Sequence, residues 1–234
     1  MKKVLYQLSL VLAVISLANA QEQTVPAAPT WEEKIAQGLV PHHQLTVEDF
    51  KIDDQAHPEG GYWVQPFVHP HWQYLVKPKD GWHYAYVVDW LVFSGFDKNE
   101  SSRKSKFREM KRSLPFAQAY LDIFEIHARQ LAALKPGEFP SARAATPQEA
   151  RTALQQNMDA FLKEKYKPML AEMEEFVKAT DRGRNEKKVR ELGKAIRKRL
   201  DAIPAPVKSS DASTPAATPV SSPPPQASAT PVSK

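Results

Sequence analysis

Three histidines on predicted strands are the side chains best suited to hold a metal ion. His69 and His71 stand two residues apart, so an extended strand directs both imidazoles to one face. His83 follows a predicted turn and approaches them if the two strands form a hairpin. Three imidazoles and one water are a zinc site of the kind that activates water for hydrolysis. The alternative is that these are partly exposed histidines at a sheet edge, with no metal.

Other catalytic motifs are missing from the sequence. The chain has no cysteine, which excludes a thiol nucleophile and disulfides, and its eight glycines form no phosphate-binding loop. There is no G-x-S-x-G elbow, and we expect no cofactor. His127 lies on the apolar face of a predicted helix, where a hydrogen-bonded core histidine is expected. His42 and His43 are predicted to lie in a solvated loop.

The segment from Leu45 to Phe96 has the composition of β-strands. Its aromatic and β-branched stretches are separated by Pro70, Pro78 and the pair Asp80-Gly81. These breaks predict three strands, over Tyr62–Val68, Trp72–Val76 and Trp82–Phe96.

Three amphipathic helices are predicted after the strands. The first spans about Ser113 to Leu134. The second begins after Thr146, where Pro147 and Glu149 complete a capping-box pattern, and ends before Gly183. The third spans about Asn185 to Ala202. The sequence thus predicts an α+β fold, with an antiparallel or mixed N-terminal sheet packed by three C-terminal helices.

Both ends of the chain differ in composition from its middle. Residues 1–20 combine two lysines, an apolar run and Ala18-Asn19-Ala20, the pattern of a cleavable signal peptide. Residues 21–44 form a leader with a short helix, residues 45–203 the domain, and residues 204–234 a Pro/Ala/Ser/Thr-rich tail predicted to be disordered. We expect an exported protein, periplasmic or extracellular, with no transmembrane segment after cleavage.

Positive charge is concentrated near the end of the predicted domain. The formal net charge is +5, and nine lysines or arginines occur between Arg182 and Arg199. Such a segment favours nucleic acid in a cytoplasmic protein, but export argues against that partner. It is either a solvated helix face or a surface for anionic envelope polymers. The residues predicted for that face are Lys187, Lys188, Lys194, Arg197 and Lys198.

The segment Leu114–Arg129 reads L-P-F-A-Q-A-Y-L-D-I-F-E-I-H-A-R. It resembles the helix H-E-Q-x-H-F-D-I-x-E-x-x-A-R of exported bacterial zinc-dependent protease-like (zincin) domains, known as domain of unknown function 922. Residues 45–50 (L-T-V-E-D-F) and 180–185 (T-D-R-G-R-N) are similar to the family's L-T-W-x-D-F and T-x-H-G-x-N, in the same order. The resemblance spans residues 45–201. The helix positions that match are Gln118, Asp122, Ile123, Glu125, Ala128 and Arg129.

The family's metal and catalytic positions are all changed in this chain. Phe116 and Tyr120 replace the two helix histidines, Ala117 replaces the glutamate, and Arg182 replaces the late histidine. Two imidazoles four residues apart face one metal, and the glutamate between them polarises its water. Aromatic rings fill that space with apolar surface, and a guanidinium repels a divalent cation. The resemblance therefore implies a degenerate zincin with no catalytic residues and no bound metal.

The sequence favours binding over catalysis. We expect a catalytically inactive protease-like domain that binds an unknown protein, peptide or cell-envelope component. Two alternatives remain open at this stage. One is an active zinc hydrolase whose ligands have moved to His69, His71 and His83, and the other is a basic envelope-binding scaffold.

Overall fold

The structure, a computed structural model, describes residues 29–55, 61–107 and 109–204. The predicted signal peptide, the first eight residues of the predicted leader (21–28) and the tail from residue 205 onward lie outside the described residues. The described strands are β1 (Leu39–Pro41), β2 (Lys51–Ile52), β3 (Tyr62–Trp63), β4 (Pro66–Lys79), β5 (Trp82–Asp97), β6 (Ser102–Arg103) and β7 (Ser141–Ala144). The described α-helices are α1 (Trp31–Ala36), α2 (Met110–Ala132), α3 (Pro147–Ala179) and α4 (Glu186–Asp201).

A long antiparallel hairpin of β4 and β5 is the main part of the sheet. It turns at Asp80 and Gly81, whose φ angles are both positive, as a two-residue hairpin turn requires. The prediction that Pro70 and Pro78 break the strand is wrong, because β4 continues through both. β4 pairs only with β5 among the described strands, and an edge strand tolerates proline since one row of its N–H groups needs no partner.

The other strands pair around this hairpin. β1 and β7 both pair with β5 in antiparallel register, at opposite ends of that strand. A second small sheet has the order β2-β6-β3, with β2 and β6 parallel. The segment predicted as a leader thus contributes β1 to the main sheet.

Local capping signals set the helix boundaries. The capping box of Thr146 with Glu149 is present, so the predicted start of α3 is confirmed. Asn185 caps α4 by accepting from the backbone N–H of Lys188 at 3.1 Å. The turn between α3 and α4 contains Gly183, which has a φ of 87°.

Helix α2 lies at the centre of the fold and packs on β5, α3 and α4. One side of it joins a buried cluster that includes Leu45, Phe50 and Phe96. The other side joins a cluster with Phe176 of α3 and Ile196 of α4. This burial of apolar surface by a sheet and three later helices confirms the predicted α+β class.

Across the described part of the chain, no helix is long and apolar enough to cross a membrane.

Candidate functional site

The two helix positions where the family resemblance places histidines hold stacked aromatic rings. α2 sets Phe116 and Tyr120 one turn apart, with ring centroids separated by 6.3 Å and planes inclined by 17°. Phe116 also stacks on Phe176 of α3, with 5.2 Å between centroids. The Tyr120 hydroxyl donates to Sδ of Met173 at 2.8 Å. These rings, which we call the aromatic cluster, therefore fill the space between α2 and α3 at this level.

Ala117 and Arg182, the other two positions at which this chain differs from the family motif, lie in different parts of the structure. Ala117 is fully buried, in the cluster with Leu45 and Phe50 rather than in the aromatic cluster. Arg182 is exposed, with a φ of 55° in the turn after α3. The next residue, Gly183, lies so close to Phe116 that a Cβ there would be 3.0 Å from Cγ of the ring. The structure thus brings Phe116, Tyr120 and this turn together, but not Ala117.

The four polar positions that match the family helix form one stripe along α2. Gln118, Asp122, Glu125 and Arg129 follow the helical spacing of a single face. Asp122 is at its centre, with a side chain only 2% exposed. Its Oδ1 accepts from Nε2 of Gln118 at 2.8 Å, and its Oδ2 lies 3.3 Å from Nε of Arg197 on α4. Both carboxylate oxygens are therefore engaged within the fold.

The ends of the stripe attach α2 to the rest of the molecule. Gln118 accepts from the backbone N–H of Leu45 at 2.6 Å and donates to the carbonyl of His43. Glu125 accepts from the hydroxyl of Ser94 on β5 and from Nε of Arg129, the latter at 2.8 Å. Arg129 in turn donates to the carbonyl of Ile203 at 2.8 Å. The stripe connects the loop before β2, the main sheet and the end of α4.

His42 belongs to this network, although the sequence predicts it in a solvated loop. Its side chain is 10% exposed, and its Nε2–H donates to Oδ1 of Asp122 at 2.7 Å. The prediction failed because β1, immediately before His42, pairs with β5 and carries the loop onto α2. The short polar loop gives no local signal of this burial. The neighbouring His43 has the partner Asp49, at 3.2 Å.

His127 is buried and forms a second, partly exposed network on the other side of α2, which confirms the prediction of a hydrogen-bonded core histidine. Its Nε2 lies 2.9 Å from Oε2 of Glu172 on α3. Arg199 of α4 donates to the same carboxylate, with Nη2 3.0 Å from Oε2. The hydrogen bond from His127 and the contact with Arg199 lower the pKa of Glu172 to about 2. This network joins α2, α3 and α4.

The structure does not assemble the alternative metal site. In the register of β4 and β5, His69 faces Phe93 and His71 faces Leu91, whereas His83 faces Pro78. Pro78 lies seven residues after His71 in an extended strand, a distance of about 23 Å. His83, which pairs with Pro78, is therefore far from His71. Burial lowers the pKa values of His69 and His71. Within the residues that the structure describes, no group of three His, Asp or Glu side chains is placed to hold a metal.

Only two of the five residues predicted for the basic face of α4 line a groove. Lys188 does not line it and is paired with Glu191 at 3.0 Å. Lys194 and Arg197 instead line a groove between α2 and α4, together with Lys111. Lys187 and Lys198 are exposed and do not line that groove. The groove, of about 370 Å³, is the concave surface next to the stripe, and Gln118 and Asp122 lie at its inner side.

Two features are therefore candidates for function: the aromatic cluster, at the positions where the resemblance places metal ligands, and the basic groove beside Asp122. The sequence indicates residues of both features but not their separation onto different sides of α2. No family model, curated protein or solved structure gives a significant match to this chain.

Proposed function

We propose that this chain is an exported protease-like domain without metal-dependent catalysis, which acts by binding a protein, peptide or cell-envelope component. The observation that carries the proposal is the aromatic cluster. Phe116 and Tyr120 stack on each other, and Phe116 stacks on Phe176. Phe116 and Tyr120 stand at the two positions where the resemblance requires imidazoles. The ring of Phe116 has no lone pair to give a metal, and the hydroxyl of Tyr120 is directed to Sδ of Met173.

The remaining catalytic positions also lack the necessary groups. A methyl group at Ala117 cannot act as a general base, and it is buried away from the aromatic cluster. The turn that would supply a third ligand carries the exposed cation of Arg182. These changes remove the ligands and the base together, which is what we expect where a framework is retained for binding.

The polar residues shared with the family support retention of the framework. Gln118, Asp122, Glu125 and Arg129 all make hydrogen bonds inside the protein. Buried polar groups require such partners, so these residues have a structural role that does not depend on catalysis. A fold of this kind remains useful as a rigid surface after its chemistry is lost.

The proposal of export rests on residues 1–20, which lie outside the described residues. Lys2, Lys3, the apolar run and Ala18-Asn19-Ala20 are arranged as in a signal peptide. We expect the mature protein to begin at Gln21. Intact-mass measurement on protein from the periplasm or culture medium tests this, and retention of residues 1–20 would contradict it.

Catalysis is tested directly on the mature protein. When the protein is purified without chelator and then dialysed against zinc, we expect well below one bound zinc ion per chain. We also expect no EDTA-sensitive hydrolysis of casein that carries a quenched fluorophore. One bound zinc together with EDTA-sensitive hydrolysis would overturn the proposal. If His69→Ala or His71→Ala abolished that zinc binding, the alternative function, a zinc hydrolase with ligands at His69, His71 and His83, would replace the proposed one.

A further inference from the structure

The groove between α2 and α4 has a basic rim. The two helices run parallel, since Arg112 contacts Glu186 near their beginnings and Arg129 contacts the carbonyl of Leu200 near their ends. Four cationic side chains line the groove. They are Lys111 of α2 and Arg190, Lys194 and Arg197 of α4.

Two of these cations have no carboxylate partner among the described residues. Lys111 and Lys194 are exposed, and no described carboxylate lies within 4 Å of either ammonium group. Arg190 is paired with Glu186 at 3.5 Å. Arg197 contacts Asp122 and the side-chain carbonyl of Gln44, at 3.3 Å each. Since a guanidinium has five N–H donors, Arg197 retains capacity for a ligand.

The floor of the groove is mostly apolar. It is lined by Leu45, Leu114, Pro115, Ala119, Val189 and Gly193, with the buried Gln118 and Asp122 beside them. Gly193 and Ala119 allow the helices to approach closely, because a Cβ on Gly193 would lie 3.5 Å from Cβ of Ala119. A ligand therefore meets hydrocarbon at the bottom and positive charge at the rim. The volume of about 370 Å³ lies within the range of about 300–1,000 Å³ for small-ligand sites.

We propose that this groove binds an extended acidic peptide segment that places an apolar side chain on the floor and two carboxylates on the rim. The proposal rests on the binding role proposed above and names the class of partner. Lys194 lies one helical turn from both Arg190 and Arg197 on α4, and Lys111 lines the groove from α2, so the rim offers several cations over about 10 Å. In a peptide of polyproline II conformation, which is extended and has three residues per turn, carboxylates on residues i and i+3 lie on one face about 9 Å apart, and a residue between them supplies the apolar contact.

The apolar floor distinguishes this ligand from other polyanions. A polyphosphate or a sulfated glycan would satisfy the cations but would leave the apolar surface of Leu114 and Pro115 without a complementary partner. An acidic peptide satisfies both parts of the groove. Apolar burial stabilises a complex in proportion to the area removed from water, whereas a single exposed ion pair contributes little. We therefore expect both kinds of contact to be needed.

The test uses fluorescence anisotropy with the mature protein and three labelled octapeptides. Their central sequences are Glu-Leu-Ala-Glu, Gln-Leu-Ala-Gln and Glu-Ser-Gly-Glu. We expect saturable binding of the first peptide, and at least about tenfold weaker binding of each of the other two. We also expect the affinity to fall as salt is raised from 50 to 300 mM, because exposed charges are screened.

Variants assign the binding to the groove. Lys111→Gln/Lys194→Gln is expected to weaken binding several-fold, and Lys111→Glu/Lys194→Glu at least about tenfold. Lys163→Glu is the matched control, because Lys163 is exposed on α3 and does not line the groove. It is expected to change the affinity by less than about twofold. Thermal unfolding of each variant establishes that the fold is retained.

Three results would overturn this proposal. They are equal binding of the neutral peptide, unchanged binding by the charge-reversed double variant, and tighter binding of polyphosphate that displaces the peptide. Mass spectrometry of the peptide after incubation separates the two proposals. An intact peptide that does not bind contradicts the groove assignment alone, whereas zinc-dependent cleavage of the peptide contradicts the non-catalytic function.

Discussion

Nε2 of His42 lies 2.7 Å from Oδ1 of Asp122, although 80 positions separate the two residues in the chain. The contact joins the loop after β1 to the centre of α2. The carboxylate also accepts from Gln118 and lies beside Arg197, so one buried group connects the loop, α2 and α4. A charge with a side chain only 2% exposed is tolerated because each of its oxygens has a partner.

Asp122→Asn is expected to lower the free energy of unfolding by about 1.5–3 kcal/mol, the usual contribution of hydrogen bonds to a charged group. Asparagine keeps the size of the side chain but removes the negative charge that faces Arg197 and His42. Urea unfolding of the mature protein followed by circular dichroism measures the change.

Asp159→Asn is the matched control for this substitution. Asp159 is exposed on α3 and accepts from Gln155 at 2.9 Å, an interaction that asparagine can maintain. We expect a change below about 0.5 kcal/mol. An equally small effect for Asp122→Asn would show that the buried network contributes little to stability.

Local sequence signals predicted the parts of the fold that depend on neighbouring residues. Thr146 and Glu149 cap α3, α4 begins next to Asn185, and Asp80-Gly81 turns the hairpin, as expected from the sequence. Each of these features is determined by backbone conformation or hydrogen bonding within a few residues, which is why the pattern alone is informative.

The features that the sequence did not predict depend on distant pairing. Pro70 is compatible with β4 only because that strand lies at an edge of the sheet. β7 (Ser141–Ala144) has little strand propensity and is held by pairing with His83–Tyr86 of β5. The burial of His42 likewise requires β1 to pair with β5. Tertiary context overrides local preference in all three cases.

Stability is expected to fall in acid partly through Glu172. Its folded-state pKa is lowered from 4.5 to about 2, first by the hydrogen bond from His127 and then by Arg199. A lowered pKa gives stability that is present above pH 4.5 and is lost as the pH falls towards 2. Because Glu172 is partly solvated, we expect about 1 kcal/mol. Urea unfolding between pH 2 and 6 measures this dependence.

Glu172→Gln should be less stable than the unchanged protein at pH 6 and should show a weaker dependence on pH below 4.5. Glu174→Gln, a change at an exposed position on the same helix, is the control and should keep the original dependence. Identical pH profiles for the unchanged protein and Glu172→Gln would contradict this role for the carboxylate.

Removal of residues 204–234 is expected to change the free energy of unfolding by less than about 0.5 kcal/mol. The segment contains eight of the 20 prolines and few large apolar residues, so its composition predicts no packed core. Ile203, directly before it, contacts the cluster of Phe176 and Ile196, and Ile203→Ala should cost about 1–2 kcal/mol. A lower melting temperature for the truncated protein would show that the tail docks on the domain.

The aromatic cluster allows a direct test of the proposed relation to zinc-dependent proteases. Phe116 and Tyr120 are one turn apart, and the turn after α3 reaches Phe116 through Gly183. Ala117 is fully buried beside Leu45 and Phe50, so a glutamate there would place a carboxylate among apolar side chains. A variant designed only to bind metal should therefore leave Ala117 unchanged.

The triple variant Phe116→His/Tyr120→His/Arg182→His should create a zinc site of three imidazoles and one water. Histidine is among the residues that accept the positive φ of Arg182. Loss of the two rings costs up to about 3–5 kcal/mol each, so the metal-free variant should melt at a lower temperature than the unchanged protein. Free zinc at 100 times its Kd stabilises the folded variant by about 2.7 kcal/mol. This corresponds to a rise in melting temperature of roughly 5–10 °C for a chain of this size. The pair Phe116→His/Tyr120→His and the single Arg182→His should show much smaller zinc-dependent shifts. If a folded triple variant shows no larger shift than the pair, these three positions do not converge on one metal and the proposed relation to the zincins loses its main support.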